Sequence, residues 1–245
     1  MNIIRLIMET HVKMVIYDEI SYLDRILHIL MLRSKFVFDI GLLNGKMGIV
    51  IAFAHLYKST HNEIYYDYMS ELLDDVLENV HKGLDMGFMS GLSGIGWGVE
   101  YLLQNGFVEG DSVEICEDID KKMMTFDLRR ISDTSLENGL EGLLHYVLIH
   151  ICDKNVEKHY LPFDAMYFSD LYERIKILIH DNKKTSFIQL SSKYMDWYEN
   201  RLILNYPLDL MQFVDSQIME QELLSNSPLG IKEGLAGLLL KQLFI

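Results

Sequence analysis

Two kinds of apolar segment alternate along the chain. In the first kind, apolar residues cover most faces of a helix, which is typical of a buried helix. These segments span residues 49–53, 95–103, 143–149 and 238–240. In the second kind, apolar residues recur at helical spacing on one face only, as they do on a surface helix. The pattern predicts surface helices over residues 62–80, 111–124, 169–180 and 207–224.

A pair of glycines three residues apart precedes each buried segment. The pairs are Gly45 with Gly48, Gly91 with Gly94, Gly139 with Gly142, and Gly234 with Gly237. The first glycines are separated by 46, 48 and 95 residues, so the last interval is about twice the others. The spacing indicates a helical repeat of about 47 residues, with one copy near Phe187 that lacks the glycines.

This repeat predicts an all-α fold, with residues 1–245 forming a single α/α toroid domain of about five helical hairpins. The buried helices would form an inner ring and the surface helices an outer ring. The eight glycines are structural on this interpretation, because a Cβ would clash where the ends of neighbouring inner helices crowd round a narrow centre. An open α-solenoid with glycine-rich turns is the alternative.

The N-terminal segment is a candidate for closing the ring. Residues 2–33 carry apolar residues at helical spacing, whereas no surface helix follows the last inner helix, residues 235–245. We expect these two segments to pack together, because each would then bury an apolar face that it cannot bury alone.

Composition and charge limit the ligands that the protein can bind and the compartment in which we expect it. The formal net charge of −14 argues against nucleic-acid binding, which depends on neutralising phosphates, and against an anionic membrane surface. No apolar run is long enough to span a membrane, and residues 1–20 lack the features of a signal peptide. The two cysteines, Cys116 and Cys152, show no CxxC spacing and fit a reducing compartment. We expect a cytoplasmic protein.

The glycine units resemble those of the lanthionine synthetase C-like (LanC-like) family. The resemblance rests on residues 41–49, 91–98, 136–142 and 230–237. It implies an α/α toroid. Active members of this family use a zinc ion to ionise a cysteine thiol, which adds to a dehydrated serine or threonine of a peptide and closes a thioether ring.

The same resemblance places the family's zinc ligands, a Cys and a Cys-His pair, immediately before the glycines of two late repeats. Those positions hold Leu43-Asn44, Met89-Ser90, Glu137-Asn138 and Lys232-Glu233, without a cysteine or histidine. We therefore expect no metal, no cofactor and no zinc-dependent cyclase activity. His145, His150 and Cys152 are close in sequence and are candidates for lining a site; ordinary core or rim residues are the alternative.

Polar residues cluster around the glycine pairs. We expect them to gather at the mouth of the toroid, where the N-termini of the inner helices present free N–H groups to a ligand. Helix capping and turn formation are the alternative role. The predicted mouth residues are Asn44, Lys46, Ser90, Ser93, Glu137, Asn138, Glu141, Lys232 and Glu233.

The sequence thus predicts a noncatalytic or altered LanC-like homologue, a pseudoenzyme that acts in peptide modification or peptide binding. Its expected partner is a peptide or a peptide-modifying enzyme, and neither nucleic acid nor membrane. A glycosidase that uses two carboxylates is one alternative, which two glutamates facing each other across the mouth would favour. A structural scaffold is the other, which a filled mouth would favour.

Overall fold

The computed structural model describes residues 21–80, 83–152, 161–200, 204–215 and 227–244, and over these ranges the protein is helical without a β-strand. Short 3₁₀ helices occur at Ser34–Phe36, Leu128–Arg130 and Leu210–Phe213. The α-helices are α1 (Tyr22–Arg33), α2 (Lys46–Thr60), α3 (Glu63–Glu78), α4 (Leu92–Gln104), α5 (Ser112–Met123), α6 (Leu140–Ile151), α7 (Ala165–Ile179), α8 (Thr185–Asn200) and α9 (Leu235–Leu243).

The helices form the two rings of an α/α toroid. In the inner ring α9 packs against α2, α2 against α4, α4 against α6, and α6 against α8. In the outer ring α3 packs on α2, α5 on α4, α7 on α8, and α1 on α9. Helices α2, α4, α6 and α9 are buried on nearly every face, whereas α3 buries only Met69, Leu72 and Val76. The fold class predicted from the alternation is confirmed.

Four inner helices begin directly after the first glycine of a pair. The second glycine of each pair lies one turn into the helix, where an added Cβ would collide with the backbone carbonyl oxygen six residues earlier in the same chain segment. The distances would be 2.3 Å at Gly48, 2.0 Å at Gly94, 2.2 Å at Gly142 and 2.2 Å at Gly237. The glycines are therefore required mainly because each helix start packs against its own preceding loop.

Two of these glycines also lie close to a neighbouring unit, which is a second reason why a Cβ would not fit. A Cβ at Gly94 would lie 3.0 Å from the Cβ of Leu42, and one at Gly142 would lie 2.4 Å from the Cβ of Phe88. Two further glycines of α4 leave space for side chains of the adjacent inner helices. Gly96 packs against the ring of Tyr146, and Gly98 packs against Met47. The crowding expected between inner helices is thus present at several positions along α4.

The N-terminal helix packs where the sequence predicts. Helix α1 begins with a capping box formed by Ser21 and Asp24, and it packs against α9. Arg33, the last residue of α1, donates a hydrogen bond from Nη1 to the backbone oxygen of Ser227 at 2.9 Å. The described part of the N-terminal segment is therefore the outer partner of the last inner helix. Residues 2–20 of the predicted segment lie outside the described residues.

The predicted fourth surface helix, residues 207–224, is wrong over its described part. Residues 204–209 are not helical, and Leu210–Phe213 form a single 3₁₀ turn capped by Asp209. The physical reason is tertiary packing, which overrides the helical spacing of the segment. Tyr206 and Phe213 are buried against distant parts of the chain, through the hydroxyl of Tyr206 and the ring of Phe213. We call residues 204–215 the central segment; residues 216–224 lie outside the described residues.

No helix in the described part of the chain has the length and apolar character needed to cross a membrane.

Candidate functional site

The loops that precede the inner helices share one local structure. In three of them an aspartate, Asp39, Asp85 or Asp133, accepts a hydrogen bond through its carboxylate from the backbone N–H two residues later, at 2.7–2.8 Å. The carbonyl oxygen of the same aspartate accepts from the first N–H of the helix, at 2.9–3.0 Å. Pro228 supplies this carbonyl in the final unit. These aspartates lie six residues before the first glycine, a regular signal that the sequence analysis missed.

The loops are hydrogen-bonded to one another through their backbones. Leu43 N donates to the carbonyl oxygen of Met89 at 3.0 Å, Met89 N donates to that of Glu137 at 2.9 Å, and Lys232 N donates to that of Leu43 at 3.0 Å. The third, second, first and final units are linked in that order. We call this structure the rim, comprising residues 39–45, 85–91, 133–139 and 228–234.

One ion pair joins side chains of two rim loops. The Lys232 Nζ atom lies 2.7 Å from Glu137 Oε1, and each side chain is 30% exposed. The hydrogen bond from Lys232 lowers the pKa of Glu137, and the hydrogen bond to Glu137 raises the pKa of Lys232. Both groups are therefore charged at neutral pH, and the pair ties the third unit to the final one.

Three of the predicted mouth residues point into the protein. Glu141 is buried, accepts a hydrogen bond from Ser186 Oγ at 2.7 Å, and lies 2.6 Å from Lys184 Nζ. Lys46 is buried and forms an ion pair with Asp75 of α3. Ser93 is buried and donates to the backbone oxygen of Met86. All three side chains therefore form hydrogen bonds or ion pairs with other residues of the protein.

The remaining six predicted residues lie on the rim and are partly or fully exposed. Ser90 Oγ donates to Asp39 Oδ2 at 2.5 Å, and Asn44 Nδ2 lies 2.9 Å from the sulfur of Met89. Asn138 and Glu233 are exposed. The structure therefore brings the six to one end of the ring, and ligand binding by them stays a prediction.

The central segment fills the interior of the ring. Trp97 Nε1 donates to Tyr206 Oη at 2.9 Å, and Tyr206 Oη lies 2.6 Å from His145 Nδ1. Burial lowers the pKa of His145 to about 3, so its imidazole is neutral and its Nδ1 can accept a hydrogen bond from the Tyr206 hydroxyl. The Phe213 ring lies with its centroid 5.0 Å from those of Phe88 and Trp97. His145 is thus a satisfied core residue.

A second polar group is buried between α4, α5 and α6, and we call it the buried cluster: Glu100, Cys116, Asp120, Tyr146 and His150. His150 Nδ1 is hydrogen-bonded to Glu100 Oε1, and His150 Nε2 lies 2.9 Å from Asp120 Oδ2. Tyr146 Oη donates to Asp120 Oδ1 at 2.5 Å. One ligand atom each of Glu100, Cys116 and His150 lies within 4.8 Å of the others.

Electrostatics in the buried cluster are dominated by its two carboxylates. Burial lowers the pKa of His150, but the hydrogen bonds and charges of Asp120 and Glu100 outweigh burial and raise the pKa to about 9. Burial raises the pKa of the Cys116 thiol well above its usual range, and the charges of Glu100 and Asp120 add to that effect.

Sequence reasoning did not assemble this cluster. It grouped His150 with His145 and Cys152, but Cys152 donates its thiol proton to the carbonyl oxygen of Leu204 at 3.0 Å, and His145 faces the central segment. The available signal was Glu100, a carboxylate within a helix that is otherwise apolar on most faces. A charge in such a position needs a buried partner.

The sequence model of a family described as lanthionine synthetase C-like protein matches residues 37–203, which is more than half of the chain. The chain belongs to the lanthionine synthetase C-like family. No curated protein and no solved structure matches it significantly. The family match ends before Gly234, yet the final unit has the same helix start and the same glycine contacts as the units inside the match.

The resemblance places the family's zinc ligands at pairs of residues before the glycines of two late repeats. In this protein those pairs form part of the rim, and their side chains offer neither a thiolate nor an imidazole. Glu137 and Lys232 are instead paired with each other, and Leu43 is fully buried. The residues present at these positions do not fit a zinc–thiol site.

Two cavities lie beside the rim, on either side of Phe36 and Val37. The smaller, of about 350 Å³, is lined by Arg33, Asn44 and Glu233 and by residues 228–230. The larger, of about 540 Å³, is lined by Lys35, Phe38, Lys46 and Asp75 among others. Phe36, which lines both cavities, is 78% exposed, and Phe38, which lines the larger one, is fully exposed.

Proposed function

We propose that this LanC-like protein is a noncatalytic homologue that binds a peptide beside the rim and does not cyclise one inside the ring. The observation that carries the proposal is the filled interior. Tyr206 and Phe213 occupy the centre of the ring, with Tyr206 hydrogen-bonded to both Trp97 and His145. A peptide bearing a dehydrated residue would need that space to approach a thiol.

The surface beside the rim supports peptide binding. Cavities of 300–1,000 Å³ commonly receive ligand groups, and the two here have volumes of about 350 and 540 Å³. Phe36 and Phe38 offer exposed aromatic area at these cavities. Aromatic residues are enriched among those that dominate binding energy at protein interfaces. Charged groups of both signs, including Arg33 and Glu233, line the smaller cavity and would orient the polar parts of a peptide.

The proposal is tested first by chemistry. The purified protein is incubated with zinc and a dehydrated peptide that contains a cysteine, and free thiol is followed by alkylation and mass spectrometry. We expect no thioether formation above the protein-free control. Enzymatic ring closure would contradict the noncatalytic assignment.

Binding is tested with a displayed library of random peptides, and enriched peptides are measured by fluorescence anisotropy. We expect Phe36→Ser and Phe38→Ser to weaken binding at least about tenfold, as loss of an exposed aromatic anchor does. The matched control is Ile177→Ser on α7, a residue that is 60% exposed and lies on the outer ring. Equal affinities in all three variants would remove this surface from the proposal.

The filled interior also favours a second function, a structural scaffold without a ligand. Failure to enrich any peptide, together with an unchanged fold in the Phe36 and Phe38 variants, would support it. The glycosidase alternative receives less support. Glu137 has a lowered pKa and an ion pair with Lys232, which suits neither a general acid nor a free nucleophile, and Glu141 is engaged by Lys184.

A further inference from the structure

We propose that Glu100, Cys116 and His150 bind a structural zinc ion between α4, α5 and α6. The three residues are fully buried and come from three different helices. This site differs in residues and position from the family's zinc site before the glycines. It is also independent of the proposed peptide-binding function, and it contradicts the expectation from sequence that the protein holds no metal.

The ligand atoms already converge. One atom each of the Glu100 carboxylate, the Cys116 thiol and the His150 imidazole lies within 4.8 Å of the others. Zinc bonds of about 2.0–2.3 Å in a tetrahedron separate neighbouring ligands by about 3.5 Å, so shifts of about 1 Å would close the set on an ion. His150 Nδ1 and Glu100 Oε1 face each other directly, and the ion would replace the proton that they share.

Outer groups hold the ligands in orientation. Asp120 Oδ2 lies 2.9 Å from His150 Nε2, the nitrogen that would remain free of the metal, and Asp120 accepts from Tyr146 Oη at 2.5 Å. A carboxylate on the far nitrogen of a zinc-bound histidine is a common arrangement in zinc sites, because it fixes the tautomer and the ring plane. Gln104 Nε2 donates to the second oxygen of Glu100 at 2.9 Å.

The charge of the cluster also favours a cation. Within the described residues, the only ion-pair partner of Glu100 and of Asp120 is the His150 imidazole. Two buried carboxylates therefore depend on one shared cation, and buried charges are stable only when they are compensated. Zinc binding would release two protons, the one shared by His150 and Glu100 and the one on the Cys116 thiol. The Glu100 carboxylate and the Cys116 thiolate would then neutralise the ion.

The chemistry of the ligands selects the metal. Thiolate and imidazole are ligands of zinc and of other borderline or soft cations, whereas magnesium and calcium prefer oxygen alone. Zinc accepts sulfur, nitrogen and oxygen ligands together, and with three protein ligands a water molecule would complete its tetrahedron. The ion would join one outer helix to two inner helices, at about 13 Å from the rim, given a rise of about 1.5 Å per residue from Gly91 to Glu100.

The test measures metal in the purified full-length protein, produced without a polyhistidine tag in zinc-supplemented medium. We expect about one zinc per chain after dialysis, because a buried structural site releases its ion slowly. Protein produced with cobalt in place of zinc should show a thiolate-to-cobalt charge-transfer band in the near ultraviolet. X-ray absorption at the zinc edge should contain a sulfur neighbour at about 2.3 Å.

Variants assign the site. Cys116→Ser should abolish the charge-transfer band, and the matched control Cys152→Ser should keep it, since Cys152 lies outside the cluster. Asp120→Asn should weaken metal binding about tenfold to a hundredfold, as loss of an outer partner does. If Cys116→Ser does not fold, X-ray absorption of the wild type still decides. Wild-type protein without zinc and without the cobalt band would overturn the proposal, as would loss of the band in Cys152→Ser alone.

Discussion

The rim and the central segment belong to the same ring but are held by different kinds of contact. Rim loops touch one another and their own helices through backbone atoms, so closely that a Cβ at Gly94 would lie 2.0 Å from the carbonyl oxygen of Phe88. The central segment is held through the side chains of Tyr206 and Phe213. Backbone contacts of this kind require glycine and recur in the four units that carry a glycine pair. Side-chain packing is met by many combinations of residues and leaves no periodic trace.

The largest expected effect is at Gly94. We expect Gly94→Leu to lower the free energy of unfolding by more than about 4 kcal/mol, because the new Cβ collides with backbone that cannot rotate away. Urea unfolding measures the loss. The control is Gly106→Asn, at a position with φ +69° where no atom lies within 4 Å of an added Cβ.

Asparagine tolerates the left-handed conformation of Gly106, so the control should change stability by no more than about 0.5 kcal/mol. Equal losses in the two variants would show that rim glycines are not required by close backbone contact.

A substitution in the central segment should reduce the free energy of unfolding less than Gly94→Leu does. Phe213→Ala removes a ring that packs against Phe88, Trp97 and His145, and we expect a loss of about 3 kcal/mol, as for other buried aromatic residues. The control, Phe38→Ala, removes a fully exposed ring and should leave stability unchanged. An unchanged melting temperature in Phe213→Ala would mean that the interior of the ring does not depend on this residue.

The contrast also explains what the sequence could predict. Fully apolar segments after glycine pairs identified α2, α4, α6 and α9, and the amphipathic segments identified α3, α5 and α7 to within a few residues. Each of these follows from local pattern. An added Cβ would clash at each of the paired glycines, and the nearest clash lies within the same unit, whereas the sequence led us to expect it between neighbouring inner helices.

The remaining features depend on contacts between distant residues. Residues 207–214 have helical spacing, yet tertiary packing of Tyr206 and Phe213 overrides it. The buried cluster joins Glu100, Cys116 and His150 from three helices, and no spacing within one helix could reveal their proximity. The rim aspartates were predictable in principle, because Asp39, Asp85 and Asp133 recur at a fixed distance from the glycines.

Lowering the pH should reduce the stability of the folded protein through His145, which contacts the central segment. Burial lowers the pKa of His145 to about 3, and the charges of Lys184 and Lys193 act in the same direction. The unfolded chain therefore binds a proton that the folded chain rejects between about pH 6.5 and 3, so stability falls as the pH falls through this range. At about pH 5 the loss from His145 alone is about 2 kcal/mol.

The variant His145→Asn isolates this effect, because an asparagine oxygen can still accept from Tyr206 and does not titrate. Its unfolding free energy should fall less than that of the wild type between about pH 7 and 5. His55, whose pKa burial lowers to about 4, is present in both proteins and cancels in the comparison. Parallel pH curves would show that His145 does not titrate on unfolding.

The smallest expected effect is at Lys232. Its side chain pairs with Glu137 at 2.7 Å, but both are partly exposed, and such pairs contribute only about 0–1 kcal/mol. The backbone of Lys232 makes two further contacts that a substitution leaves in place, one to the Leu43 carbonyl oxygen at 3.0 Å and one from Asp215 N at 2.9 Å.

Lys232→Met should therefore reduce the unfolding free energy by less than about 1 kcal/mol. Added salt should diminish the difference between variant and wild type, because it screens the exposed pair. Urea unfolding at low and high salt measures both. A loss as large as that of Gly94→Leu would mean that the ion pair, and not the backbone contacts, holds the third and final units together. A small, salt-sensitive loss would leave the backbone as the element that joins the rim.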